Sequence, residues 1–179
     1  MIGYTSKIKF IFLILLFCFN ACSIRYFNYN KAVKKVKNNE LTIEEFDEKY
    51  YAFYNSFDTL FQIKCSGSFV NQDIDGKYRV YKFFPNGKLI STWKMDSYPN
   101  NLSVLKVTTE HHYYRIKNNK IEIEYLQARD WKLYNIIKQG RISEDTIVFY
   151  QTKNMQIPWA KARKINSVYI YDANLTNLK

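Results

Sequence analysis

The chain has 179 residues, of which 27 are Lys or Arg and 16 are Asp or Glu, so its formal net charge is +11 at pH 7. A chain of this length forms one ordinary domain that can bury a core without disulfide bonds. Aromatic residues make up 18% of the sequence, whereas Gly occurs 5 times and Pro 3 times. This composition excludes a disordered or low-complexity protein and favours a packed β domain.

The first segment of the chain is basic and then apolar. Lys7 and Lys9 precede an unbroken apolar run over residues 10–19, which is typical of a secretory signal peptide. A helix that spans a bilayer needs about 20 apolar residues, so this run is too short to cross a membrane. We therefore predict export of the protein.

The residues after this run resemble the lipobox of a bacterial lipoprotein signal peptide. Ala21 and Cys22 match the motif, whereas Phe19 and Asn20 differ from its usual Leu and small residue. The resemblance implies diacylglycerol on the Cys22 thiol, removal of residues 1–21, and acylation of the new amino terminus with a fatty acid such as palmitate. The alternatives are cleavage without acylation and an uncleaved apolar anchor.

The predicted surroundings of the protein are those of the bacterial cell envelope. Some bacteria retain lipoproteins at the inner membrane through an Asp after the acylated Cys, and this chain has Ser23 there, which favours the outer membrane. Positive charge attracts polyanions, but an exported lipoprotein rarely meets nucleic acid, so we expect no nucleic-acid partner. Anionic lipid head groups or acidic polysaccharide are the expected neighbours, unless the lysines form an ordinary solvated surface.

Residues 22–41 are predicted to form a membrane-proximal tether. Several basic and aromatic side chains lie together here, directly after the predicted lipid. Basic side chains near an anionic bilayer contribute about 1 kcal/mol each, and aromatic rings favour the interface. The segment is therefore expected to lie along the membrane, with a solvated linker or frayed helix as the alternative.

An amphipathic helix is predicted over residues 42–57. Thr42 and Glu45 have the spacing of a capping box, and apolar residues then recur at steps of three and four. A face that packs on the core explains this stripe, and a partner-binding helix is the alternative. The apolar residues of the stripe are Ile43, Phe46, Tyr50, Phe53 and Phe57.

An antiparallel β domain is predicted over residues 58–179. Short runs alternate in polarity and are separated by turn sequences, as in successive hairpins. About eight strands in this order form a meander, which can close into an up-and-down barrel without edges. The predicted fold class is therefore mainly β (α+β), with one N-terminal helix. Outside the two hairpins below, strands are predicted at 62–70, 102–107, 132–137, 146–151 and 165–171.

One hairpin is predicted residue by residue over 112–125. A two-residue turn at its Asn-Asn pair places Ile116 opposite Ile121 and Arg115 opposite Glu122. Asn tolerates the positive φ of such turns, and a slip of one residue would exchange the two faces. The register therefore pairs apolar with apolar residues and places opposite charges together.

A second hairpin is predicted over 78–93. A two-residue turn at its Asn-Gly pair places Phe84 opposite Leu89 and Phe83 opposite Ile90. Both faces of this hairpin are apolar to a large extent. We therefore expect it to be covered on both sides.

The predicted barrel, with its lipid anchor and preceding helix, resembles small lipocalin-like lipoproteins over roughly residues 60–171. Lipocalins carry Gly-x-Trp at the first strand, where this chain has Gly67-Ser68-Phe69 and lacks the Trp. The resemblance implies a non-catalytic cavity for a small apolar ligand. The candidate lining residues, taken from the two hairpins, are Tyr78, Val80, Phe84, Trp93, Tyr114, Ile116, Ile121, Ile123 and Tyr125.

The residues that carry metal or thiol chemistry are few. Of the 3 cysteines only Cys65 belongs to the predicted β domain, and its apolar neighbours indicate a core residue. His111 and His112 are the only histidines, and on a strand they point to opposite faces. We therefore expect no metal site and no cofactor.

The carboxylates do not indicate a catalytic pair. Glu122 and Glu124 share a strand face, but Arg115 opposite Glu122 keeps that carboxylate ionised, so we expect a surface charge ladder. Asp73 suits a turn, and residues 143–145 form a second polar turn. The sequence contains neither a GxSxG elbow nor a Gly-rich phosphate loop. We expect no catalytic residues and no enzymatic activity.

Three functions are compatible with the sequence. The first is a non-catalytic binding or structural module that holds a small apolar ligand, which an apolar cavity would support and an interior filled by side chains would exclude. The second is an interaction protein that docks an envelope partner or glycan, which an exposed apolar patch would support. The third is a membrane-spanning barrel with a polar interior, which we disfavour because the predicted strands are shorter than the 9–11 residues or so that spanning requires.

The lipid anchor is directly testable. Two or more acyl chains hold a protein stably in a bilayer, at ~0.8 kcal/mol for each buried CH₂. Mass spectrometry of membrane-extracted protein is expected to find Cys22 as the first residue, with a diacylglycerol and an acyl group added. The Cys22→Ser variant is expected to carry neither, and an unmodified Cys22 in the natural chain would reject the prediction.

Overall fold

The structure is a computed structural model that describes residues 24–54, 63–92, 95–98, 112–157 and 159–175. It is mainly β, with eight antiparallel strands in a closed meander barrel and two helices. The predicted fold class is therefore confirmed. Cys22, Trp93, His111 and the predicted strand at 102–107 lie outside the described residues.

Eight strands form the barrel, each antiparallel to its neighbour. The first strand also pairs with the last, with Phe69 opposite Tyr171, and this closes the sheet without a free edge. The last four strands are 9–12 residues long, longer than predicted. The strands are β1 Ser68–Gln72, β2 Tyr78–Phe83, β3 Lys88–Ser91, β4 His112–Lys117, β5 Lys120–Arg129, β6 Lys132–Ser143, β7 Thr146–Asn154 and β8 Arg163–Asp172.

The hairpin of β4 and β5 has the predicted register. Ile116 pairs with Ile121 and Arg115 with Glu122. The Arg115 guanidinium lies 2.5 Å from the Glu122 carboxylate. Asn118 has a φ of 49° and the following Asn a φ of 58°. The two Asn residues thus supply the positive φ angles that a two-residue turn requires.

The hairpin of β2 and β3 differs from the prediction by one residue. Phe83, not Phe84, lies opposite Leu89, and Lys82 lies opposite Ile90. The face of β2 that was predicted to point outward therefore points into the barrel, and the face predicted to point inward lies outside. A one-residue shift has this effect because side chains alternate along a strand.

Proline and glycine in the turn explain the shift. The Phe84 N–H donates to the Lys88 carbonyl at 2.9 Å, so three residues, not two, form the loop. Pro85 has the φ that the start of a type I turn needs, and Gly87 has a φ of 80° at its end. A type I turn followed by a left-handed Gly is a usual three-residue hairpin.

One apolar cluster fills much of the barrel interior. Its rings meet mostly edge to face, for example Phe83 and Tyr114 with centroids 4.9 Å apart and planes at 88°. The Cys65 side chain packs against the cluster as predicted, and burial raises the pKa of its thiol. The buried members are Ile63, Phe69, Tyr81, Phe83, Leu89, Tyr114, Ile116, Ile121, Ile123, Ile147, Phe149 and Tyr169.

The chain divides into two compact units. One consists of residues up to Tyr50 together with Gln127–Tyr134, and the other of Tyr51–Leu126 and the residues from Asn135 onward. The first unit contains both helices, α1 over residues 24–37 and α2 over Ile43–Tyr50. None of the helices in the described ranges is long and apolar enough to cross a membrane.

The helices pack through aromatic rings. The Tyr29 ring of α1 lies 5.5 Å from the Phe46 ring and 5.4 Å from the Tyr50 ring of α2, centroid to centroid. The predicted capping box is present, since the Glu45 N–H donates to the Thr42 hydroxyl at 3.2 Å and the Thr42 N–H donates to the Glu45 carboxylate at 2.9 Å. The tether predicted over residues 22–41 is helical over most of its length, since α1 covers residues 24–37.

A buried carboxylate ends the predicted helix early. Glu124 is 0% exposed and accepts hydrogen bonds from the Ala52 N–H at 2.9 Å and the Phe53 N–H at 2.6 Å. The Asn135 side-chain amide also donates to it. These N–H groups point to Glu124 instead of continuing the helix, which therefore ends at Tyr50 and not at residue 57. The prediction that Glu124 belongs to a surface charge ladder is wrong.

The Glu124 hydrogen bonds predict a stability difference between two neighbouring glutamates. Glu124→Gln turns an acceptor into a donor beside buried N–H groups, and we expect it to lower the free energy of unfolding by about 2–3 kcal/mol. Glu122→Gln on the same strand removes the partly exposed ion pair with Arg115 but keeps an oxygen that can accept from the Gln139 amide. It is expected to cost less than about 1 kcal/mol. Urea denaturation of both variants checks this, and equal losses would contradict it.

Candidate functional site

A lysine lies inside the barrel. Lys138 of β6 is only 7% exposed, and its Nζ lies 4.2 Å from the ring centroid of Phe149, 4.8 Å from that of Tyr169 and 5.2 Å from that of Tyr81. These three rings belong to the apolar cluster. We call Lys138 and its three rings the lysine cage.

Phenol groups complete the lysine cage. The Lys138 Nζ donates to the Tyr81 hydroxyl at 3.2 Å and to the Tyr169 hydroxyl at 3.4 Å. The two tyrosine rings are stacked, with centroids 4.5 Å apart and planes at 9°. A cation above aromatic faces is attracted by the ring quadrupole, by about 2 kcal/mol when desolvated. The cage therefore suits a protonated amine, but it offers only neutral groups.

Lys138 has no compensating negative charge within the described ranges of the chain. Among the described residues no carboxylate forms an ion pair with its amine. Burial, and after it the nearby Arg79, lowers the pKa of Lys138 to about 7. Burial also raises the pKa of Tyr81 and that of Tyr169, so both hydroxyls keep their protons. Near pH 7 the amine is therefore divided between its neutral and its cationic form.

Lys82 shows how differently a structural lysine is held. It is buried too, but its Nζ donates to the carbonyls of Cys65, Ser66 and Gly67 at 2.7, 3.0 and 2.9 Å. These three hydrogen bonds hold the segment that leads into β1. The Lys138 amine has no backbone acceptor of this kind among its hydrogen bonds, so it does not hold a segment of the chain in place.

The lysine cage separates two parts of the barrel interior. On one side lie fully buried apolar side chains, including Ile121 and Ile147. On the other side the side chains are half-buried. Arg79 and Tyr125 are polar, and the apolar Ile165 packs against the cluster. Arg79 lies close enough to the cage to act on Tyr169, since its charge lowers the pKa of that phenol against the larger rise from burial. We call this side the polar end of the barrel.

His112 contributes to the same polar end. Its Nε2 lies 3.0 Å from the Ser91 hydroxyl oxygen, and its ring centroid lies 5.9 Å from that of Tyr125. Within the ranges that the structure describes, no three His, Cys, Asp or Glu side chains converge as a metal site would require. The groups near the polar end are thus mainly cationic or hydrogen-bonding, with one carboxylate, Asp73, close enough to Tyr169 to add to the rise that burial causes in the pKa of that phenol. The cationic groups suit an organic anion.

A glycine and a bulge position Phe149 in the cage. The pairing of β6 and β7 shifts between Gln139 and Gly140. A Cβ on Gly140 would lie 2.7 Å from the Val148 carbonyl and 2.8 Å from the Phe149 ring, so a larger residue cannot stand there. A glycine inside a strand often marks such a bulge or close approach.

The predicted lining residues are divided among several environments. Tyr114, Ile116, Ile121 and Ile123 all lie in the filled apolar cluster, with none of them more than 2% exposed. Tyr125 is half-buried at the polar end, and burial, followed by the neighbouring Tyr81, raises its pKa. Of these residues, only Tyr125 is placed to touch a molecule that enters the polar end.

Three further candidates belong to the β2–β3 hairpin, and all three lie outside the barrel interior. Val80 packs with Leu175 in a separate small cluster, and the Tyr78 ring packs on the Tyr98 ring at 5.4 Å. The Phe84 carbonyl accepts the Tyr114 hydroxyl at 2.8 Å, but Phe84 is not part of the apolar cluster. These positions follow from the one-residue shift of that hairpin.

Sequence reasoning missed the lysine cage. The predicted strand stopped at Ile137, one residue before Lys138, whereas β6 continues to Ser143. Lys138 alternates with Gly140 and Ile142 along one face, which is the pattern of an inward-facing position. That alternation was the signal in the sequence for an inward-facing Lys138. It was not used, because a positively charged residue is not expected inside a barrel.

A second feature lies on the outside of the barrel. Four apolar side chains of β7 and β8 point away from the interior, with Val148 opposite Val168 across the two strands. Each is exposed by 38% or more, and Ile170 by 61%. We call this surface the sheet patch. Its members are Val148, Tyr150, Val168 and Ile170.

The fold and the site define a closed eight-stranded antiparallel barrel with an uncompensated amine between a filled apolar part and a polar end. No protein-family model, curated protein or solved structure matches this chain.

The pKa of Lys138 predicts how stability depends on pH. The unfolded chain keeps this amine protonated up to a pKa of about 10.4, whereas the folded chain releases its proton from about pH 7. Because the unfolded state binds more protons in this window, the contribution of Lys138 to stability rises with pH from about 7 to about 10. At pH 6 the buried charge has its full cost.

Lys138→Met should remove this dependence. We expect the variant to exceed the natural chain in stability by about 2–4 kcal/mol at pH 6, with a difference that shrinks by pH 10. Lys164→Met, at an exposed position of β8, should leave the pH dependence unchanged. Urea denaturation at pH 6, 8 and 10 gives the comparison, and parallel curves for all three proteins would refute it.

Proposed function

We propose that this protein is a lipid-anchored bacterial envelope protein whose barrel binds a small ligand with an apolar body and an anionic group, without catalysis. The observation that carries the proposal is the Lys138 amine, which lies in an aromatic cage with no carboxylate partner among the described residues. An anion at the polar end would supply the missing charge.

The energetics support a binding role for Lys138. A buried amine with a lowered pKa costs stability, and apolar residues of similar size are often neutral or better at such positions. Perturbed titratable groups cluster at functional sites, since binding and catalysis need them there. The cage holds no segment of chain in place, in contrast to the three carbonyls bound by Lys82.

The arrangement of the polar end narrows the ligand class. An anion beside Lys138 would raise the pKa of the amine and could also accept hydrogen bonds from the Tyr81 and Tyr169 hydroxyls. Arg79 adds a second positive charge. The filled apolar cluster leaves no place for the expected apolar ligand beyond the cage. The proposed site is therefore limited to the polar end, and it suits a short apolar body.

The second candidate function is an interaction protein, and the sheet patch favours it. The exposed apolar side chains of Val148 and Val168 lie opposite each other on a barrel exterior where polar residues are usual. Contiguous exposed apolar surface often marks a partner site. A membrane-spanning barrel with a polar interior is disfavoured, because the interior described is largely apolar.

Binding of short-chain probes tests the proposal. Hexanoate, hexanol and acetate are titrated into the full chain reconstituted in lipid nanodiscs, with calorimetry as the readout. We expect hexanoate to bind more tightly than hexanol or acetate by at least about tenfold, which corresponds to about 1.4 kcal/mol. Binding of hexanoate should weaken from pH 7 to pH 9, because deprotonation removes the cation.

Variants separate the site from non-specific binding. Lys138→Met should lose the preference for hexanoate over hexanol, whereas Lys164→Met should keep it. Equal binding of hexanoate and hexanol to the natural chain would refute the anionic group. Failure of all three probes to bind, together with a protein partner that is lost in Val168→Ser, would favour the interaction function instead.

A further inference from the structure

Three aromatic rings form an exposed cluster in the unit that contains the helices. Tyr26 and Phe27 of α1 meet Trp131, which follows β5, with ring centroids 5.8–6.2 Å apart. Phe27 is 57% exposed and Trp131 68% exposed. We call these three residues the ring platform. Such rings normally bury their faces, so a cluster this exposed suggests a surface that another phase or molecule covers.

The backbone at Trp131 is unusual for an aromatic residue. Asp130 has a φ of 50° and Trp131 a φ of 58°, so the two residues form a tight turn with both φ angles positive. Gly and Asn are usual in such turns, and a bulky residue there costs on the order of 1 kcal/mol. The chain therefore places the large apolar ring of Trp131 at the tip of a strained hairpin turn. Packing of the ring onto Tyr26 and Phe27 returns only part of that cost, since most of the ring stays in water.

Basic residues surround the ring platform. Arg25 precedes its two helical rings, and Arg129 and Lys132 flank the turn. Asp130 is the one acidic residue in this turn, and it pairs with Arg129 at 3.1 Å. The local charge therefore stays positive, which complements an anionic surface rather than a neutral one.

The exposed face of α1 continues this pattern. Ile24, Phe27 and Lys31 recur at steps of three and four on its exposed side, opposite the buried Tyr29. Ile24 is 58% exposed and stands two residues after Cys22 in the sequence. The helix thus presents apolar side chains near the predicted lipid and basic side chains further along.

We propose that the ring platform inserts into the head-group region of an anionic bilayer. The inference depends on the membrane location in the proposed function, but not on the barrel ligand. Aromatic rings favour this interface because it offers apolar and polar contacts together. Arg25 and Lys132 would each add about 1 kcal/mol of attraction to anionic lipids, whereas Asp130 offsets much of the charge of Arg129. The acyl chains on Cys22 would then be one of two contacts with the membrane.

Depth-dependent fluorescence quenching tests the inference. The full chain with Trp93→Phe and Trp159→Phe keeps Trp131 as its sole tryptophan and is reconstituted in vesicles of phosphatidylcholine and phosphatidylglycerol. We expect blue-shifted emission that is quenched at least twofold more by lipids brominated near the glycerol than by lipids brominated near the terminal methyl. Iodide in the buffer should quench it weakly.

Charge variants provide the matched control. Arg129→Gln with Lys132→Gln should reduce quenching by brominated lipid at low salt, since it removes the attraction to phosphatidylglycerol. Arg141→Gln, at an exposed arginine of the other unit, should not. Trp131→Asn relieves the strain in the turn and is expected to fold at least as stably as the natural chain. That result would show that folding does not require the tryptophan.

The outcomes distinguish this inference from the membrane location. If the protein stays with the vesicles but iodide quenches Trp131 and brominated lipid does not, the ring platform faces water and the inference is overturned. If neither quenches it, a second copy or another protein covers the rings, which overturns it too. If the protein does not stay with the vesicles, both the inference and the lipid-anchored location fail.

Discussion

Closure of the sheet is the constraint on which the rest of this structure depends. β1 pairs with β8, and Gly67 allows it, because a Cβ there would lie 2.7 Å from the Tyr171 ring. Once the sheet is closed, every inward side chain has to find its partners inside the barrel. Apolar rings do so by edge-to-face packing, as Phe69 and Phe83 do at 5.5 Å and 89°.

Lys138 is the side chain for which closure is costly. Its inward position leaves ring faces and two phenols as partners, and these cannot neutralise a charge. The contrast with Glu124, whose carboxylate accepts hydrogen bonds from two backbone N–H groups and a side-chain amide, is instructive. The glutamate ties segments of the protein together and belongs to the fold, whereas the lysine belongs to the ligand site that we propose.

The same reasoning applies to the surface of the helical unit. Trp131 adopts a costly backbone conformation and remains mostly in water, so neither local preference nor packing accounts for it. The chain thus places costly residues at two positions, one inside the barrel and one on the helical unit. Each is proposed to be satisfied by a partner outside the chain, an anionic ligand for Lys138 and an anionic bilayer for Trp131, and the two proposals are tested independently.

Local chemistry determined what could be predicted from the sequence by itself. The capping box at Thr42, the eight-stranded meander and the register of the β4–β5 hairpin follow from neighbouring residues, because turn geometry and cross-strand pairs act over short distances. Tertiary structure alone decided the burial of Glu124, the cage around Lys138 and the contact of Trp131 with α1. These depend on groups far apart in the sequence, such as Tyr81 and Tyr169, which meet only when the sheet closes. No local pattern encodes such a meeting, since it results from the path of the whole chain.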